Sequence, residues 1–81
     1  MSREEILKKV NEIFVDAFDK EDLVVGFETT ASDIEGWDSL MQMNLIEMIE
    51  DEFDIRFDMD DIIKMENVGS MIDIVLEKLS R

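Results

Sequence analysis

Three stretches of this chain repeat apolar residues at helical spacing, and each follows a side chain able to cap a helix. That pattern fixes the fold class before anything else does. In the first, Ile6, Leu7, Val10, Ile13, Phe14, Ala17 and Phe18 form one stripe, with Lys8, Lys9, Asn11 and Glu12 on the other side. Ser2 and Glu5 have capping-box spacing, so a helix is expected from near Arg3 to Phe18 or Asp19. In the second, Leu45, Ile46, Ile49 and Phe53 share one face, while Asn44, Glu47 and Asp51 share the opposite one. Asp38 is the expected N-cap of this helix, from about Ser39 to Phe53, a role worth about 1 kcal/mol. In the third, Asn67 precedes a stripe of Val68, Met71, Ile72, Val75, Leu76 and Leu79. Lys78 and Arg81 stand at its C-terminal end, where cations suit the helix dipole. The chain has no proline and only three glycines, a composition that suits helices.

The intervening segments are less regular. Residues 19 to 37 have no clean period and are expected to form a long loop, pinned to the helices by Leu23, Val24, Val25, Phe27 and Ile34. Leu23-Val24-Val25-Gly26-Phe27 has strand propensity but lacks a pairing partner. Thr29, Thr30, Ser32 and Asp33 are turn formers. Asp54-Ile55-Arg56-Phe57 breaks the helical period, with Ile55 and Phe57 tucked inward. Asp58 or Asp60 can then cap a short helix, Asp61 to Met65. The expected architecture is an all-α single domain over residues 1–81: three main helices and one short one around a single core, with a long loop between helices one and two.

Charge narrows the choice of partners. With 22 acidic and 8 basic side chains the net charge is −14, which argues against nucleic acid and anionic membranes. It favours proteins with basic docking patches. The hydrophobic fraction of 46% separates the chain from disordered acidic tails. There is no cysteine and no histidine, so neither a thiolate nucleophile nor the usual neutral-pH general base is available. An autonomous enzyme is not expected. Met1-Ser2-Arg3-Glu4-Glu5 does not read as a signal peptide, and no apolar run reaches membrane length. A cytoplasmic monomer is expected. Asp54, Asp58, Asp60 and Asp61 suggest a calcium loop, yet that loop requires glycine at position six and glutamate at twelve. Counted from Asp54 those positions hold Met59 and Met65, so no metal site is expected.

The candidate functional stretch is Gly36-Trp37-Asp38-Ser39-Leu40. Ser39 falls at the first position of the second helix, where unpaired backbone N–H groups and the helix dipole favour a phosphate. Leu40 falls on the polar face beside it and reads as a contact for a partner. Trp37 is expected to pack the end of the loop onto the bundle. Met43 and Met48 read as core or groove lining.

From Gly36 to Phe57 the sequence resembles the acyl carrier protein family. Asp38-Ser39-Leu40 matches the family's attachment motif, and Leu45-Ile46-Glu47-Met48-Ile49-Glu50-Asp51-Glu52-Phe53-Asp54-Ile55 matches its second helix. The expected helix order, long first loop and length extend the likeness over the whole chain. The resemblance implies a carrier in which Ser39 is esterified by 4′-phosphopantetheine, donated from coenzyme A by a Mg²⁺-dependent phosphopantetheinyl transferase. Acyl intermediates then ride as thioesters on the cofactor's thiol. It implies recognition by the transferase through Asp38 and Leu40, and partners that load and process acyl groups; Met43, Glu47 and Asp51 are expected to join that contact surface from the second helix. The acidic cluster of Glu47, Glu50, Asp51, Asp54, Asp58, Asp60 and Asp61 becomes a surface for basic partners. An acyl-accepting cavity between helices two and four is compatible with the adaptable methionines.

The chain also departs from the family pattern. Met41 and Asn44 stand where members serving fatty acid synthesis usually have acidic residues, and Glu47 stands where they have an apolar one. Trp37 replaces a small residue. These departures favour a dedicated carrier of a specialised pathway over general fatty acid synthesis. Two alternatives stay open: an aminoacyl or peptidyl carrier, and an acidic helical interaction module with no prosthetic group. A hydrolase using Ser39 would lack a histidine base.

Overall fold

The computed structural model describes residues 1–80, and the C-terminal cation expected at Arg81 lies outside them. Four α-helices follow one another: α1 (Arg3–Phe18), α2 (Ser39–Phe53), α3 (Met59–Ile63) and α4 (Val68–Leu79). A 3-10 turn, Ala31–Asp33, interrupts the long first loop. No strand forms among the described residues, the stretch Leu23 to Phe27 included.

The caps read from the sequence set the bounds of the three main helices. Ser2 Oγ accepts from the Glu5 N–H at 3.2 Å, and Glu5 Oε1 accepts from the Ser2 N–H at 2.9 Å, which closes a capping box. The Ser2 N–H holds the Glu5 carboxyl below its usual pKa. Asn67 Oδ1 accepts from the Ser70 N–H at 2.8 Å and starts α4. The C-termini of α1 and α2 both end on an aspartate in the left-handed region, Asp19 at φ 53° and Asp54 at φ 55°.

α1 packs against α2 and α4. Their facing stripes enclose Ile6, Val10, Phe14, Leu45, Ile49, Val68, Met71, Ile72 and Val75, all buried. Ile55 and Phe57 pack against this core as expected, as do Leu23 and Phe27 from the loop. Val25 and Ile34 are buried outright.

Four local expectations need correction. The short helix runs Met59–Ile63, two residues earlier than Asp61 to Met65, because Asp58 is its cap. Asp61 is the reciprocal partner in a second capping box, with Asp58 Oδ1 accepting from the Asp61 N–H at 2.9 Å. Val24 does not pin the loop; it is 82% exposed. Leu79 is largely at the surface rather than in the buried stripe. Asn11 does not face solvent. Its side chain donates to Leu23 O at 3.3 Å and accepts from the Val25 N–H at 2.7 Å, which stitches the loop to α1.

The loop is stitched at its other side by the N-terminus of α4. The Val68 N–H donates to Thr29 O at 2.9 Å and the Gly69 N–H to Phe27 O at 2.7 Å. A Cβ at Gly69 would lie 2.7 Å from that same carbonyl oxygen. Glycine is required there by close approach of two backbones.

Lys78 does more than sit at a helix end. Its ammonium meets Asp61 Oδ2 at 2.8 Å, with only 15% and 19% of the two side chains exposed. This pair ties α3, which has no buried residue of its own, to α4.

Candidate functional site

The site forms where the long loop turns into α2. Gly36 adopts φ 91°, a conformation open to glycine and rarely to other residues. That turn carries Trp37 back onto α1. Its ring meets Phe14 edge-on at 5.1 Å and Phe18 at 6.5 Å. Trp37 thus packs the loop end onto the bundle, as the sequence suggested. Its indole Nε1–H donates to Gln42 Oε1 at 2.7 Å, which fixes the loop end to the first turn of α2.

Asp38 is the N-cap: its Oδ1 accepts from the Met41 N–H at 2.9 Å. Ser39, the first helical residue, is exposed, and its hydroxyl has no hydrogen-bond partner among the described residues. No acceptor in the described protein engages the Ser39 and Leu40 N–H groups. Chain charge is overwhelmingly negative, yet the first turn of α2 contains no acidic residue, whereas those of α1 and α3 do. A phosphodiester on Ser39 would meet helix-terminal N–H groups, and the neighbouring Asp38 carboxylate is itself engaged by the Met41 N–H.

Ser39 lines the rim of an open cleft of about 570 Å³. α2 supplies Gln42 and Met43, α3 supplies Ile62, the following linker supplies Met65, and α4 supplies Met71. The space expected between helices two and four is therefore present as an open cleft, with Ser39 at its edge.

The sequence-selected contact residues lie together on the outer side of α2. Leu40 is 82% exposed, and Met43, Glu47 and Asp51 are exposed below it. Leu40, Met43 and Glu47 line one shallow depression with Asn44. Met43, Glu47 and Asp51 line the next, with Arg56. Met48, by contrast, packs against the core. Sequence reading missed Gln42; its polarity within the first turn is the only sequence signal, and its partners are set by tertiary contact. Among the described residues, no three carboxylates converge in a way that could hold a metal ion. No helix is long and apolar enough to cross a membrane.

Fold and site together define a small helical module that presents one exposed serine beside an open cleft. Comparison with known proteins agrees. Residues 8–75 match the family model described as "Phosphopantetheine attachment site". The acyl carrier protein of Streptococcus pyogenes is 37% identical over 73 residues, 90% of this chain and 95% of that protein. That of Thermotoga maritima is 33% identical over 78 residues, 96% of each. The solution NMR structure of a holo acyl carrier protein from Geobacter metallireducens superposes with a TM-score of 0.88 at 41% identity, covering 94% of this chain and 87% of that one. The chain belongs to the phosphopantetheine-attachment family, as an acyl carrier protein. Its cofactor is 4′-phosphopantetheine.

Proposed function

We propose that Ser39 is the attachment point and that the chain is a non-catalytic, cytoplasmic, monomeric carrier built as one domain over residues 1–81. The observation that carries this reading is the exposed, unpartnered Ser39 hydroxyl at the capped start of α2, within the Asp38-Ser39-Leu40 motif and inside the matched range.

In the transfer, Ser39 Oγ bonds to the phosphorus next to pantetheine in coenzyme A. The phosphoanhydride bond breaks and 3′,5′-ADP leaves. The serine proton goes to a base of the transferase, because the chain has no histidine to take it. Once attached, the cofactor supplies a thiol that holds an acyl group as a thioester, chemistry that a chain without cysteine cannot supply itself. Asp38 keeps the helix start rigid, so Ser39 is offered in one orientation.

Leu40, Met43, Glu47 and Asp51 form the surface read by the transferase and by acyl-loading and acyl-processing enzymes. Their exposure on one side of α2 supports this, and the net charge of −14 favours basic docking patches over nucleic acid. Asn44 and Glu47 on that surface favour enzymes of a dedicated pathway.

Intact mass before and after incubation with coenzyme A, Mg²⁺ and a broad-specificity transferase tests the attachment site. Wild type should gain one phosphopantetheine and Ser39→Ala none, with helical circular dichroism unchanged. An increment on Ser39→Ala, or none on wild type with several competent transferases, would overturn the assignment.

A further inference from the structure

The cleft beside Ser39 has a polar tie built across it. Gln42 Oε1 accepts from the Trp37 indole at 2.7 Å, and Gln42 Nε2 donates to Met65 Sδ at 3.9 Å. One amide thereby joins the loop end, α2 and the linker that follows α3. All three residues line the cleft, together with Ser39 at the rim and the almost fully buried Met71. Trp37 cannot easily move away, because Phe14 and Phe18 hold its ring. The tie is half-buried, so its groups are not freely repaired by water.

We propose that Gln42 is a specificity-determining residue, and that the cleft accepts acyl groups bearing a hydrogen-bonding substituent in preference to plain hydrocarbon chains of equal length. This rests on the assignment of Ser39 as the attachment point. A saturated chain entering the cleft parts Gln42 from Trp37 and offers nothing in return. Leaving a shielded donor and acceptor unpaired shifts an equilibrium by about tenfold. An acyl group with a hydroxyl or amide takes over the indole N–H and the Gln42 carbonyl, and that loss disappears. The methionines at positions 43, 65 and 71 adapt their shape to either cargo, so shape alone does not choose between them. The polar pair makes the choice.

The test uses octanoyl and 3-hydroxyoctanoyl groups, each transferred with the arm from its coenzyme A thioester onto wild type and Gln42→Leu. Two quantities are followed: hydrolysis of each thioester by intact mass, relative to the same acyl group on free pantetheine, and emission of Trp37, the only tryptophan. On wild type the 3-hydroxyoctanoyl thioester should be protected about tenfold more than the octanoyl one, and it alone should shift the emission. In Gln42→Leu the order should reverse. Gln42→Met serves as the second variant if the leucine protein loses helical signal. Equal protection of both cargoes on wild type, or an unchanged order in the variants, overturns the role of Gln42. Absence of any mass increment on wild type overturns the attachment reading instead, and this one with it.

Discussion

Replacing Gly69 by alanine should destabilise the protein, although the usual rule for a helical glycine points the other way. Alanine is favoured over glycine by about 1 kcal/mol in a helix interior, an upper bound for Gly69 in the first turn of α4. At Gly69 the added Cβ would sit 2.7 Å from Phe27 O, 3.3 Å from Asn67 Oδ1 and 3.4 Å from Phe27 C. Two of those atoms are backbone and have no rotamer to escape into. Relief requires α4 and the loop to separate, which stretches the bonds from Val68 to Thr29 O and from Gly69 to Phe27 O. Each is worth about 1 kcal/mol net, and forced overpacking adds about 1–3 kcal/mol. Set against the propensity gain, the net loss is about 2–4 kcal/mol. For a domain of this size that is a fall in Tm on the order of 10–30 °C. Thermal unfolding followed by circular dichroism at 222 nm, repeated with urea, measures it. A Gly69→Ala protein as stable as wild type, or more so, would refute the reasoning and show that the loop is not held by α4.

The Asp61–Lys78 pair makes a pH-dependent prediction. The Lys78 ammonium first, and the Asp58 partner second, hold the Asp61 carboxyl below its ordinary pKa. The pair's stabilisation is therefore complete above the ordinary carboxylate value and is lost only as pH falls through the lowered one. Lys78→Met should cost about 1–2 kcal/mol at neutral pH, between the values for exposed and buried pairs. The cost should vanish in strong acid; a loss independent of pH would mean that Lys78 acts by packing alone. On the docking surface, Glu47→Lys with Asp51→Lys changes the net charge from −14 to −10, four charges in all. Transferase kcat/KM should fall about tenfold at low salt, and the difference should fade in 0.5 M salt, where the screening length is on the order of 4 Å. Unchanged kinetics at low salt would remove α2 from the docking surface.

The helices that could be read in advance are those whose ends are set locally. Ser2 with Glu5, Asp38 and Asn67 each bond to a backbone N–H three residues on, so sequence spacing alone located α1, α2 and α4. α3 was displaced by two residues because Asp58 and Asp60 are both plausible caps. Only the reciprocal bond from Asp61 distinguishes them. The errors at Asn11 and Val24 share one cause. Asn11 bonds to the Val25 N–H, which turns Val25 inward and leaves Val24 in water, and nothing in the local spacing reports a bond between residues fourteen apart. Leu40 was legible because an apolar residue on a polar face stands out whatever it contacts. Gln42 was not, because a glutamine in a first helical turn is unremarkable until its partners Trp37 and Met65 are seen.

The double stitching of the first loop also says where the molecule will accept new sequence. Between Leu23 and Thr29 the backbone is committed, to Asn11 on one side and to the start of α4 on the other. A graft there would have to unpick both seams. Just upstream, Lys20, Glu21 and Asp22 are exposed and lie at the turn that follows α1. An affinity tag, a fluorophore or a fused domain belongs between Glu21 and Asp22, where lengthening the chain costs one exposed turn bond, from the Leu23 N–H to Lys20 O, and leaves the ground on which Ser39 stands intact.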